Sequence, residues 1–169
     1  DYVHTLSDEY AQAEKRVGMI ADKLAGRLIS KGYKALSQSD NALITENTFD
    51  FATKTSVLPH KTIAVLSGTG YIGKNNLFIT AEYGAAQCLG SVLTNAPLSI
   101  MEHEIKSSQC GNCNICRDVC PQKALNGVVW DMNVSRDEIV NVYDCVTCLK
   151  CLVYCPKTQA YMKRHITMK

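Results

Sequence analysis

Four prolines, three phenylalanines and one tryptophan are few for 169 residues, and no apolar run approaches the ~20 residues a membrane-spanning helix needs. No helical membrane span is expected. Charge of one sign is equally scarce. Eighteen Lys and Arg against sixteen Asp and Glu leave a net charge of +2, too balanced to argue for nucleic acid or an anionic membrane surface as partner. No histidine lies between Cys110 and Cys155, which removes the usual partner of cysteine in mixed zinc sites. Nothing near the N-terminus reads as a secretory signal, so a disulfide framework is not expected. The chain opens at Asp1 rather than a methionine, and residues upstream are expected to be missing. With 46% hydrophobic residues it can bury a real core, as one medium domain or two small ones.

What the chain does have is cysteine. Eight of its nine cysteines fall in two copies of C-x2-C-x2-C-x3-C-P: Cys110, Cys113, Cys116, Cys120-Pro121, then Cys145, Cys148, Cys151, Cys155-Pro156. These spacings are the ligand set of bacterial-type [4Fe–4S] clusters, in which the fourth cysteine of each run ligates the other cluster. The expected sets are therefore Cys110, Cys113, Cys116 with Cys155, and Cys145, Cys148, Cys151 with Cys120. Proline after the fourth cysteine suits a sharp change of chain direction. Nine unpaired thiols imply a reducing interior, so a cytoplasmic location is expected.

Residues 5–31 read as a helix, with Ser7 as cap, Asp8 and Glu9 in its first turn and Gly32 after its end. Tyr10, Ala13, Val17, Ile20, Ala21, Leu24 and Leu28 form its apolar face. A short strand over 33–36 and a polar loop or lid over 37–57 follow. Residues 68–73 spell G-x-G-x-x-G. A dinucleotide fold needs a strand before the glycines, a helix after them and an acid ~20 residues on. Residues 88–98 hold no acid, Pro59 can open a short helix ending at Gly68, and 77–80 reads as a strand that turns at 82–84 and returns through 88–93. The dinucleotide reading is set aside.

Among other residues, Cys88 reads as an inert packing thiol and His60, His103 and His165 as surface histidines, with His60 the one candidate acid–base group. Lys74 and Asn75 could contact a cofactor phosphate or amide, or Lys74 could be structural. Tyr71 could stack on a planar cofactor or pack in the core. Val128, Val129 and Trp130 are expected to form a strand shielding a cluster. The basic tail, with Lys163, Arg164 and Lys169, is either a docking patch for an acidic redox partner or a solvated helix end.

Taken together, residues 58–98 and 110–156 resemble the iron–sulfur protein family that includes epoxyqueuosine reductase. That family shows A-G-x-G-[WY]-x-G-K-[NH], here Ser67-Gly68-Thr69-Gly70-Tyr71-Ile72-Gly73-Lys74-Asn75, and a closing Leu-Gly-x-x-Leu-Thr, here Leu89-Gly90-Ser91-Val92-Leu93-Thr94. The resemblance implies an α+β protein. Residues 1–105 would be an α/β domain related to nitroreductase and cobalamin-processing folds, and 106–169 a ferredoxin-like two-cluster domain. It also implies a cobalamin site lined by Asn75, Phe78 and Leu89. The family's Asp-Ser-Ala-Pro segment, whose aspartate looks like the proton donor, is replaced here by Lys54-Thr55-Ser56-Val57.

The function expected is an iron–sulfur oxidoreductase that passes electrons through two [4Fe–4S] clusters to a cofactor or small-molecule substrate at the α/β domain. Its partner would be a low-potential electron donor or acceptor protein. The alternative is a ferredoxin-like electron carrier whose α/β part only docks a partner. Structural clusters are a third reading.

Overall fold

The structure is a computed structural model and describes residues 5–100 and 102–166. In chain order its elements are α1 (Glu9–Ser30), β1 (Ala35–Ser37), α2 (Asp40–Thr45), β2 (Phe49–Asp50), β3 (Thr55–Ser56), α3 (His60–Leu66) and β4 (Tyr71–Ile72). There follow β5 (Phe78–Ile79), β6 (Val92–Thr94), α4 (Ile115–Asp118), α5 (Arg136–Ile139), α6 (Lys150–Val153) and α7 (Pro156–Ile166). The mixture of helix with antiparallel strand pairs is α+β. Among the described residues no helix is long and apolar enough to cross a membrane.

The chain divides into two compact units that interleave along the sequence. Among the described residues one holds 5–63, 88–100 and 102–103, the other 64–87 and 104–166, and the division falls inside α3. The segment 64–87 thus groups with the cysteine runs, whereas a boundary after residue 105 was expected.

In the first unit α1 packs on the antiparallel pair β1–β6, where Leu36 faces Leu93. Asp8 caps α1 by accepting a hydrogen bond from the Ala11 N–H at 2.9 Å, so the cap falls one residue beyond Ser7. Of the expected helix face, Ala21 is buried and Tyr10, Ala13, Val17 and Leu28 are half-buried; Ile20, 64% exposed, and Leu24, 49% exposed, are corrected, and Ala25 is buried in addition. Close packing selects the small residues: a Cβ on Gly90 would stand 2.6 Å from Val17 Cγ1. The expected loop over 37–57 is instead α2 and the β2–β3 hairpin. Ser39 Oγ caps α2 by accepting from Ala42 N, and Asp50 Oδ1 closes the hairpin turn by accepting from Ala52 N.

The hairpin expected between 77–80 and 88–93 does not form. Thr80 and Gly84 do exchange backbone hydrogen bonds at the predicted turn, but pairing stops there. β6 returns to β1, a partner distant in sequence, and β5 pairs with β4. The glycine segment is therefore a tight β4–β5 hairpin preceded by helix α3, the reverse of a dinucleotide-binding strand–loop–helix.

In the second unit each cysteine run carries a four-residue helix in the same register. Cys116 is the second residue of α4 and Cys151 the second residue of α6. The runs diverge after their prolines, because Pro156 opens the long α7 while residues 121–122 form only a turn. The thiols belong to the hydrophobic packing. Cys155 and Cys110 pack with Tyr71, Ile79 and Ala85, and Cys116, Cys120 and Cys151 pack with Ala124, Leu125 and Val140. Residues 127–130 adopt no strand, so the expected shield of Val128, Val129 and Trp130 is irregular chain, with Val129 39% exposed.

Candidate metal centre

The second unit encloses a cavity of about 70 Å³ lined by Cys110, Cys113, Cys116 and Cys155, together with Tyr71, Lys74 and Asn75. Three of these cysteines come from the first run and the fourth from the end of the second. Cys120, though in the first run, is not among the lining residues. The remaining thiols gather around Cys151. Burial first, and then the charges of Cys145, Cys116, Cys148 and Cys120, push its thiol up to about 12. Cys116 is pushed up to about 11, first by burial, with the Arg117 backbone N–H opposing and the charges of Cys110, Cys155 and Cys113 adding.

Both shifts share their causes: burial first disfavours the thiolate form, and neighbouring thiolates in the same dry site then repel it. Among the described residues no three Cys, His, Asp or Glu side chains converge as a single-ion site requires. Four thiols, those of Cys110, Cys113, Cys116 and Cys155, line one cavity, a donor set of the kind that suits a polynuclear cluster. A further feature fits a cluster here. The Tyr71 hydroxyl is buried without a hydrogen-bond partner, and burial followed by the charges of Cys110 and Cys155 pushes its pKa up to about 12. A protonated phenol beside a sulfur-rich group would gain an acceptor.

Local structure places these side chains. Lys74 Nζ donates to the Gly111 carbonyl at 2.8 Å and to Asn114 Oδ1 at 3.1 Å, tying the β4–β5 hairpin to the first cysteine run on either side of Cys113. Asn75 Nδ2 donates to the Cys151 carbonyl at 3.3 Å, and its Oδ1 accepts from Leu77 N. The glycines allow that approach, since a Cβ on Gly70 would lie 2.3 Å from the Ile79 carbonyl oxygen. Phe78 is buried in the same unit. Leu89 lies in the other unit, where it lines a cavity of about 520 Å³ with Gln38, Ser39 and His60.

His60 is half-buried rather than a surface residue. Its Nδ1 is 2.9 Å from Ser91 Oγ, and burial lowers its pKa, with the Gln38 carbonyl and Asp40 opposing. Cys88 lies outside any strand and is half-buried; burial, then the charge of Glu14, pushes its thiol up, as an inert cysteine requires. His103 is exposed, and the exposed His165 packs its ring on Tyr161. Arg164 donates to the Ala81 and Glu82 carbonyls, Lys163 is exposed, and Lys169 lies outside the described residues. Lys54 is exposed, with φ of +51° in the β2–β3 turn. Sequence reasoning missed the buried Gln38, whose Oε1 has no partner, and Ser91 beside His60. Neither belongs to a motif, and only the fold brings them together.

Fold and thiols define a cysteine-rich α+β protein whose metal-type cavity is built from both cysteine runs. No family model matches the chain. Curated relatives do. It is 32% identical over 100 residues to the epoxyqueuosine reductase of Lactococcus garvieae, covering 59% of this chain and 28% of that one. It is 31% identical over 120 residues to that of Pseudomonas aeruginosa (71% and 28% covered) and 31% over 143 residues to that of Bacillus anthracis (72% and 36%). The solved structure of epoxyqueuosine reductase from Streptococcus thermophilus shares the fold, with a TM-score of 0.57 at 24% identity over 83% of this chain and 39% of that one. The chain belongs to the epoxyqueuosine reductase-like family. It spans roughly a third of the length of these curated relatives.

Proposed function

We propose that this chain is the two-cluster portion of an iron–sulfur oxidoreductase. Cys110, Cys113, Cys116 and Cys155 would hold one [4Fe–4S] cluster, and Cys145, Cys148, Cys151 and Cys120 the second. Residues 106–169, grouped with 64–87, would form the ferredoxin-like part, and 5–63 with 88–103 the α/β part. The observation that carries this reading is the thiol-lined cavity drawn from both runs, with the unpartnered Tyr71 hydroxyl in its wall. Bound there, the clusters would supply one-electron transfer. The chain's own work is to exclude water with Ile79, Leu152 and Tyr71, and to fix the cysteine loops through Lys74 and Asn75. A cytoplasmic, reducing setting and a low-potential protein donor complete the proposal.

A corrinoid is not supported by the residues first considered for it. The Asn75 amide is engaged inside its own unit, and Asn75 and Phe78, at 5% and 6% exposure, offer no open face. No step is derived through one. The carrier reading draws on the small thiol cavity, which has no room for a substrate of ordinary size. The enzyme reading draws on the cavity of about 520 Å³ in the other unit.

Anaerobically purified protein is expected to be brown, to bind about eight irons per chain and to give cluster EPR signals on reduction. A colourless or zinc-loaded protein would overturn the proposal.

A further inference from the structure

Lys74 is the one charged side chain among the described residues that is buried, at 7% exposure. Lys74 is one of the residues lining the cavity of Cys110, Cys113, Cys116 and Cys155, and its ammonium binds the backbone of Gly111, next to Cys110. Its two hydrogen bonds go to neutral acceptors, the Gly111 carbonyl and the Asn114 amide oxygen, and no ion pair to it occurs among the described residues. A buried ammonium without a counter-charge is unfavourable, and proteins pair such groups or neutralise them. The four cysteines that line the same cavity would carry negative charge as ligands of a cluster. The fold therefore sets an unpaired cation against a site that needs one.

We propose that Lys74 is the built-in counter-charge of this one metal site and raises its reduction potential selectively, leaving the Cys145, Cys148, Cys151, Cys120 site unaffected. The inference rests on the cluster reading above. One-electron reduction, by dithionite or a viologen in the titration, adds one negative charge to the site and makes or breaks no bond. In a dry cavity that added charge is disfavoured, and an ammonium held beside it offsets the penalty. Lys74 is thus a positioning and tuning residue. Through Gly111 and Asn114 it also holds the chain on either side of Cys113.

The test is an EPR-monitored redox titration of the full chain, loaded anaerobically, as wild type, Lys74→Met and Lys74→Arg. Lys74→Met keeps the length and removes the charge. It is expected to shift the midpoint of one cluster signal downward and leave the other in place, while Lys74→Arg stays near wild type. Because the midpoint is read from loaded molecules, partial loading does not blunt it. Loss of one cluster in Lys74→Met with retention in Lys74→Arg also supports the counter-charge. Full iron with both midpoints unmoved, an equal shift of both, or loss of the cluster in both variants overturns it. A wild type without iron overturns the cluster reading itself, and this inference with it.

Discussion

Gly84 takes φ of +61°, and a Cβ there would lie 2.4 Å from Thr158 N and 2.6 Å from the Lys157 carbonyl carbon. The turn after β5 is thereby pressed against the first turn of α7, and Thr158 Oγ1 accepts from Ala85 N at 3.0 Å to lock it. Gly84→Ala combines left-handed strain with a backbone clash, so a loss of about 2–4 kcal/mol is expected in urea denaturation. Thr158→Val removes an acceptor and strands a buried N–H, for about 1–3 kcal/mol. His60 sets a pH dependence. Burial lowers its pKa in the folded state below the ordinary 6.5, so the unfolded chain binds the proton more readily. Its contribution to stability is complete above 6.5 and is lost as pH falls through the lowered folded value. Urea midpoints measured between about pH 7.5 and about pH 5 should fall more steeply in wild type than in His60→Gln, since only the former must expel a proton from that site. Equal slopes in the two proteins would refute this.

At the scale of elements, what could be read in advance followed local chemistry. α1 announced itself by its acidic first turn and by Gly32, and α3 by Pro59 and its glycine stop, because caps and breakers act within a few residues. What escaped was decided at a distance. α2 and the β2–β3 hairpin have no clear apolar period, and the partner of β6 lies more than fifty residues away in β1. Most of the expected face of α1 turns inward, and only Ile20 and Leu24 were misplaced, since Ala25 rather than Leu24 completes the buried side. Two substitutions separate these faces. Ala25→Leu overfills the packed side and is expected to be destabilising by about 1–3 kcal/mol, whereas Leu24→Lys, on a half-exposed position, should stay within about 0.5 kcal/mol. Thermal melts of the two variants decide it, and a reversed order would restore the aliphatic face.

Across the whole molecule the cysteine repeat was the most legible feature, since one residue type at fixed spacing can be read without tertiary context, and four of its members line one cavity. Less legible was how closely the rest of its unit is engaged with it. The G-x-G-x-x-G segment, which invites a nucleotide, serves as a hairpin whose Lys74 and Asn75 reach the cysteine loops. The crossed arrangement can be tested site by site. Under the proposal Cys155→Ser and Cys110→Ser disturb the same cluster, whereas Cys120→Ser disturbs the one held by Cys145. Each single variant is expected to keep about four irons and one unperturbed EPR signal. The surviving signal should be identical in Cys155→Ser and Cys110→Ser and different in Cys120→Ser. Were Cys120→Ser to share its surviving signal with Cys110→Ser, each run would hold its own cluster, and the cavity joining Cys155 to the first run would have no part in ligation.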